Sequence, residues 1–345
     1  MLYTTETLAR TTDTPPKKKR SALRLGLSAA AVLLTAAVLF TCLSPLPVAW
    51  VIRAAFRKGV AVPPQGFEGM QQRVDVTKNL SYPSQYLDNQ ADIFLPKDRD
   101  GPVPVVLWVH GGAFVGGSKE DVEIYATALA AEGIAVVSMN YRRAPEAAYP
   151  TPLIQVEEAY RWMAEIADTY SFDLGRFALA GDSAGAHIVA QFAAMQSNAD
   201  YAAEMGFEQI VPPDMLKAVL LFCGPYDVAG ITEGSNTVMN FLMGRAAWAY
   251  FGERGFSEAL IAQATLSNHV TGSFPPAFIT DGNNMSFEPH GRSLAAALTE
   301  SGVSVETYFV PAEVESVGHE YQFIMNTPAG EESFRRVIQF LEKYL

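Results

Sequence analysis

The pentapeptide Gly181-Asp182-Ser183-Ala184-Gly185 lies between the apolar run FALA and the helical run AHIVAQFAAM, and this setting constrains the chain more than any other stretch. Glycines two residues to either side of a serine let the backbone turn sharply and let neighbouring elements approach closely. The serine then stands on a strand-to-helix turn with its hydroxyl exposed at a helix N-terminus, a setting for a nucleophile.

The rest of the body repeats the strand–helix alternation. Short apolar runs bounded by Gly, Pro or Asp predict strands over 73–77, 90–95, 103–109, 134–139, 176–180, 218–222, 277–280 and 303–310. Helical patterns fall between them over 121–132, 152–170, 184–196, 290–302 and 331–344. Alternation on this scale implies an α/β fold with a largely parallel sheet covered on both faces. Residues 228–271 break the alternation and carry Trp248, Tyr250, Phe251 and Phe256, which predicts an excursion over the C-terminal sheet edge that forms part of a lid.

A second motif follows the run VPVVLWV: His110-Gly111-Gly112-Ala113-Phe114, then Gly116 and Gly117. Successive glycines let backbone N–H groups face a developing oxyanion, so Gly111 and Gly112 are expected to form an oxyanion hole with the N–H of Ala184. A phosphate-binding loop is the alternative, but the chain shows neither its Lys-Ser/Thr pair nor G-x-G-x-x-G. For the base, His319 in Gly318-His319-Glu320 follows the last predicted strand and precedes the terminal helix. His110 reads as a structural or hole-shaping residue, and His187, His269 and His290 fall on a helix, in the excursion and at a helix start.

HGGAF, GDSAG and GHEYQF in this order resemble the hormone-sensitive-lipase-like group of α/β-hydrolases, serine carboxylesterases and lipases, over roughly residues 70 to 345. The resemblance implies an eight-stranded, mostly parallel sheet, hydrolysis of a small-molecule ester through an acyl-enzyme, short to medium acyl chains and no cofactor. Its triad acid belongs in an Asp-Pro-Leu-like motif a few residues past a Gly, yet here the count lands on Met285. Glu288 is the first substitute, Asp281 the second and Asp227 the third. A formamidase or other amidase on the same scaffold, and a catalytically weak ligand-binding protein, are the alternatives. No Cys/His spacing suits a structural metal, and Cys42 and Cys223 are not expected to pair.

The N-terminus calls for a separate account. Residues 1–58 carry nine Lys/Arg against two acids, leaving sixteen against thirty-five for the remainder. So acidic a body disfavours nucleic acid as a partner. Residues 1–24 form a basic segment, and 25–52 contain no charge and read as a membrane anchor, whose stretch to Ser44 already matches the ~30 Å hydrocarbon thickness. Lys17, Lys18, Lys19, Arg20 and Arg24 outnumber Arg53, Arg57 and Lys58 just after the stretch, which favours a single pass with a cytoplasmic N-terminus and the hydrolase domain outside. The rival is a cleaved signal peptide and a secreted body. Residues 53–70 read as a linker and 71–345 as the catalytic domain.

Overall fold

Strands covered on both faces read as unbroken apolar runs, and β3 (Val103–Val109), β4 (Ala135–Met139) and the second half of β5 (Phe172–Asp182) are buried almost without interruption. A computed structural model describes residues 17–55, 59–234 and 236–345, with side chains from residue 23 onward. The basic residues Lys17, Lys18, Lys19 and Arg20 have their side chains outside the described residues, as have Arg57 and Lys58.

With β1 (Val74–Ser81), β2 (Gln90–Pro96), β6 (Leu216–Phe222), β7 (Ala277–Asp281) and β8 (Val305–Phe309), the strands form one sheet in the order β1-β2-β4-β3-β5-β6-β7-β8. The β1–β2 and β2–β4 pairs are antiparallel and all others are parallel. All eight runs read from the sequence are strands. Register brings Val109 beside Gly181 and Asp182 beside Phe222, so the ends of β3, β5 and β6 meet at one level.

Because successive side chains alternate, the sheet feeds two cores. Val105, Leu107 and Val109 face one and Val106 and Trp108 the other. The helices are α1 (Lys17–Leu43), α2 (Leu46–Ala55), α3 (Phe67–Gln72), α4 (Glu123–Ala131), α5 (Thr151–Glu165), α6 (Ala167–Tyr170), α7 (Ala184–Ser197), α8 (Ala199–Met205), α9 (Thr237–Phe251), α10 (Glu258–Ala264), α11 (Glu288–Glu300) and α12 (Pro328–Tyr344). The first core takes α5 and α7, and the second takes α4 and α12. Between β6 and β7 the excursion supplies α9 and α10.

The chain divides into two units, residues 1–47 and 48–345. In the first, Leu23–Leu43 is apolar enough to cross a membrane, with a mean hydropathy of 2.2, or to serve as a signal sequence. The boundaries read from the sequence shift here. The uncharged stretch 25–52 is not one helix, since α1 stops at Leu43 and α2 starts at Leu46, with Pro45 and Pro47 at the break. Val48, Ala49 and Ile52 are buried in the first core, within the second unit. Nor are the described residues of 53–70 free of the body. Arg53 bonds the body, and Val62 exchanges backbone hydrogen bonds with Phe323 and Met325.

Just past the loop after β3, Lys119 and Asp92 form a buried ion pair at 2.9 Å, with side chains 1% and 0% exposed. The Asp92 carboxylate also accepts from the N–H of Asn79, and the N–H of Lys119 donates to Asn140 Oδ1. Removing Lys119, which also reaches Glu120 at 2.7 Å, strands the Asp92 charge in the interior, which typically costs about 3–5 kcal/mol. Lys119→Met should therefore lower stability by about that amount in a denaturant titration, and the double variant Asp92→Leu/Lys119→Met should regain most of the loss.

Candidate active site

The level at which β3, β5 and β6 end carries the glycine-flanked serine. Ser183 has φ 48° and ψ −116°, a strained backbone held by its N–H donating to the Phe222 carbonyl at 2.7 Å. A Cβ on Gly185 would lie 2.0 Å from the Val109 carbonyl oxygen, and one on Gly181 would lie 2.5 Å from the Gly185 backbone. Both glycines are thus required by backbone-to-backbone contact, and the elbow expected from the sequence is present.

His319 lies in the loop after β8. Its Nε2 is 3.0 Å from Ser183 Oγ and its Nδ1 is 3.3 Å from Asp281 Oδ1. A carboxylate at Nδ1 favours the tautomer in which Nδ1–H donates and Nε2 accepts the serine proton. The Phe287 ring packs against the imidazole in a T-shaped pair, with ring centroids 5.6 Å apart.

Among the three candidate acids, the structure sets the second against the histidine. Asp281 ends β7 and is 1% exposed. Besides His319, its carboxylate accepts from the N–H groups of Gly282 and Phe287 at 2.7 and 2.8 Å. Glu288, the first choice, opens α11, and its carboxylate pairs one turn on with Arg292 at 2.7 Å. Asp227 caps a turn through the N–H of Ala229, and its own N–H donates to His290 Nδ1. Met285 is 61% exposed.

The loop between Asp281 and Met285 has another task. Asn283 donates from Nδ2 to the carbonyls of Val310 and Glu315, and its Oδ1 accepts from the N–H of Val317. A Cβ on Gly282 would come within 2.1 Å of the Gly318 carbonyl oxygen. Asp281 is thus brought to His319 by two loops whose backbones touch.

The loop after β3 also departs from expectation. The N–H of Gly111, one of the three expected donors, donates to Asp182 Oδ2 at 2.7 Å. The other Asp182 oxygen accepts from Trp108 Nε1 at 2.7 Å. Gly112 and Ala113 follow at φ 108° and 52°, and no hydrogen bond from their N–H groups is found among the described residues. Ala113 lines the pocket at Ser183 together with Ala184. Ala113, the third small residue of HGGA, was not among the residues singled out from the sequence. His110 has Nδ1 2.7 Å from the Gly111 carbonyl and stacks on Tyr141 at 4.5 Å.

The electrostatics separate the histidines. Burial lowers His110 and His187 to about 4, so both stay neutral near pH 7. At His319 burial also pulls downward, but the negative charge of Asp281, with its hydrogen bond and Glu320 beside it, raises the imidazole to about 9. Asp182 and Glu320 are both pushed up, first by burial, and each also by a neighbouring carboxylate. Cys223, Asp281 and His319 have potential ligand atoms within 4.8 Å of one another. As a metal site this set is poor, since burial first, and the charges of Asp281 and Glu320 next, raise the Cys223 thiol, which donates to Gln322, while Asp281 and His319 already engage each other.

The pocket over Ser183 is apolar and small, with a cavity volume of about 10 Å³. Phe114, Met243, Ala246, Ala247 and Phe287 line it, so α9 covers the site as the excursion predicted. The Phe114 and Tyr250 rings stack at 4.0 Å and fix this cover to the loop after β3.

Residues 91–297 match the BD-FAE family. The carboxylesterase NlhH of Mycobacterium tuberculosis is 31% identical over 255 residues, 72% of this chain and 76% of the relative. The esterase LipQ of the same species is 26% identical over 250 residues, 71% of this chain and 57% of its own length. The fold is similar to that of the crystal structure of esterase B from Lactobacillus rhamnosis, with a TM-score of 0.71 at 20% identity, over 95% of this chain and 96% of the other. With the elbow serine, the HGGA loop and a histidine after β8 in place, the chain belongs to the hormone-sensitive-lipase-like α/β-hydrolases, a group of carboxylic ester hydrolases.

Proposed function

We propose that ester hydrolysis in this protein runs through an acyl-enzyme on Ser183, with His319 as general base and acid and Asp281 as the third member. The observation that carries this reading is the unbroken line of contacts Ser183 Oγ, His319 Nε2, His319 Nδ1, Asp281 Oδ1, at 3.0 and 3.3 Å. Ser183 Oγ attacks the ester carbonyl as His319 takes its proton, and the imidazolium returns that proton to the leaving alcohol. Water, deprotonated by the same histidine, then releases the acid. Asp281 stabilises the imidazolium and holds the ring in its tautomer. The oxyanion is received by the N–H groups of Gly112, Ala113 and Ala184, each such donor being worth on the order of 3 kcal/mol in the transition state. With an acid against His319, Met285 no longer argues for a non-catalytic binding protein.

The narrow apolar pocket favours short acyl chains, and α1 acts as an uncleaved single-pass anchor with its basic flank in the cytoplasm and the catalytic unit outside. Protease treatment of intact cells should cut the catalytic unit, and protection of it alongside a digested external control would reverse this orientation.

Three outcomes follow for activity on p-nitrophenyl esters. Asp281→Asn should lower kcat by about 10⁴, as loss of a triad acid does, whereas Glu288→Gln should leave it near wild type. The reverse pattern would move the acid to Glu288. In pH dependence, acylation needs neutral imidazole, so kcat/KM should fall as pH drops through the His319 pKa, with its acid limb above the ordinary 6.5 and toward 9. Glu320→Gln removes a negative neighbour and should shift that limb to lower pH. For acyl length, kcat/KM should fall from butyrate to octanoate, and Met243→Ala should raise octanoate relative to butyrate.

A further inference from the structure

Gly112, Ala113 and Phe114 have φ of 108°, 52° and 63°, three consecutive residues in the left-handed region, two of which carry side chains. Such a backbone persists only where its surroundings over-determine it. Part of the restraint is internal, since the N–H groups of Val115 and Gly116 both donate to the Gly112 carbonyl, at 3.2 and 2.8 Å. Part comes from the segment after β4, where the N–H of Ala144 donates to the Phe114 carbonyl at 3.0 Å and Arg143 Nη1 donates to the Gly117 carbonyl at 2.9 Å.

A further restraint comes from α2, the helix that follows the apolar α1 after a break of two residues. Arg53 Nε donates to the Val115 carbonyl at 2.6 Å and Nη2 donates to the Ala144 carbonyl at 2.7 Å. Both terminal nitrogens also bond Glu146, Nη1 at 2.8 Å. One planar guanidinium therefore joins the loop of the proposed oxyanion donors to the segment that buttresses it, a fork geometry that lysine cannot reproduce. Val48, Ala49 and Ile52 sink the same helix into the core, so the guanidinium is delivered from a fixed base.

We propose that Arg53 is a positioning residue for the oxyanion hole, and that the segment joining α1 to the catalytic unit is consequently part of the catalytic apparatus rather than a tether. This inference rests on the reading of Gly112 and Ala113 as oxyanion donors. Arg53 touches no reacting atom; it acts through the carbonyl of Val115, two residues beyond Ala113. A misplaced donor loses its contact in the transition state and leaves substrate binding in the ground state largely intact.

The test uses the full chain in detergent with p-nitrophenyl butyrate and a fluorophosphonate probe, whose phosphoryl oxygen would sit in the same hole. Arg53→Ala should lower kcat and the rate of fluorophosphonate inactivation together, by roughly 10²-fold, with KM changed less than about twofold. Guanidinium ion at millimolar concentration should restore part of kcat in Arg53→Ala and none in wild type. Arg53→Lys, which keeps the charge and one donor direction, should fall between the two and serves if Arg53→Ala does not fold. Glu146→Gln should cost far less than Arg53→Ala, because both carbonyl contacts remain. Wild-type kcat in Arg53→Ala, a loss confined to KM, or no response to guanidinium would overturn the role of Arg53 while leaving the esterase reading standing. A folded wild-type protein that neither turns over esters nor reacts with the probe would overturn both.

Discussion

Everything catalytic in this molecule depends on the contact of two backbones at the elbow, where Gly185 packs against the Val109 carbonyl so closely that a single methyl group has no room. That contact ties the first turn of α7 to the end of β3 and so fixes the separation between the serine and the loop that follows β3. The strain at Ser183 is held by the sheet itself, through the hydrogen bond to Phe222 on β6. The pattern recurs across the site: Gly282 against Gly318 fixes the distance between the acid's strand and the histidine's loop. Glycine here sets how closely separate pieces of chain come together.

A second constraint is the negative charge gathered beneath the reacting groups. Asp281, Asp182 and Glu320 all influence His319, and only Asp281 bonds it directly. Asp182 has a structural occupation, accepting from Trp108 and Gly111 and thereby locking β3, its loop and the elbow together. The carboxylate of the sequence motif GDSAG thus holds the loop after β3, while Lys119 and Asp92 hold its far end against β2.

The sheet was legible because its strands are short apolar runs separated by turn residues, and the elbow and the histidine were legible because their neighbours in sequence are also their neighbours in space. The acid was not. Counting from the glycine led to Met285 and then to Glu288, whereas contact with His319 comes from Asp281, whose approach depends on the Gly282–Gly318 crossing between segments 36 residues apart. Of the proposed donors, Gly112 and Ala184 are legible in the sequence, but that Gly111 bonds Asp182, 71 residues away, appears only in three dimensions. Arg53 was hidden for the same reason, standing in a stretch whose charge pattern speaks of a membrane and whose partners are the carbonyls of Val115 and Ala144.

The stack of Phe114 on Tyr250 joins the roof of the pocket to the oxyanion loop. A bulky acyl group that lifts the roof must therefore pull on the loop whose N–H groups are proposed to receive the developing charge. Discrimination against large substrates would then be written in rate as well as in affinity. Any evolutionary or laboratory route to a wider pocket must first uncouple these two rings, or accept a more promiscuous enzyme that is also a slower one.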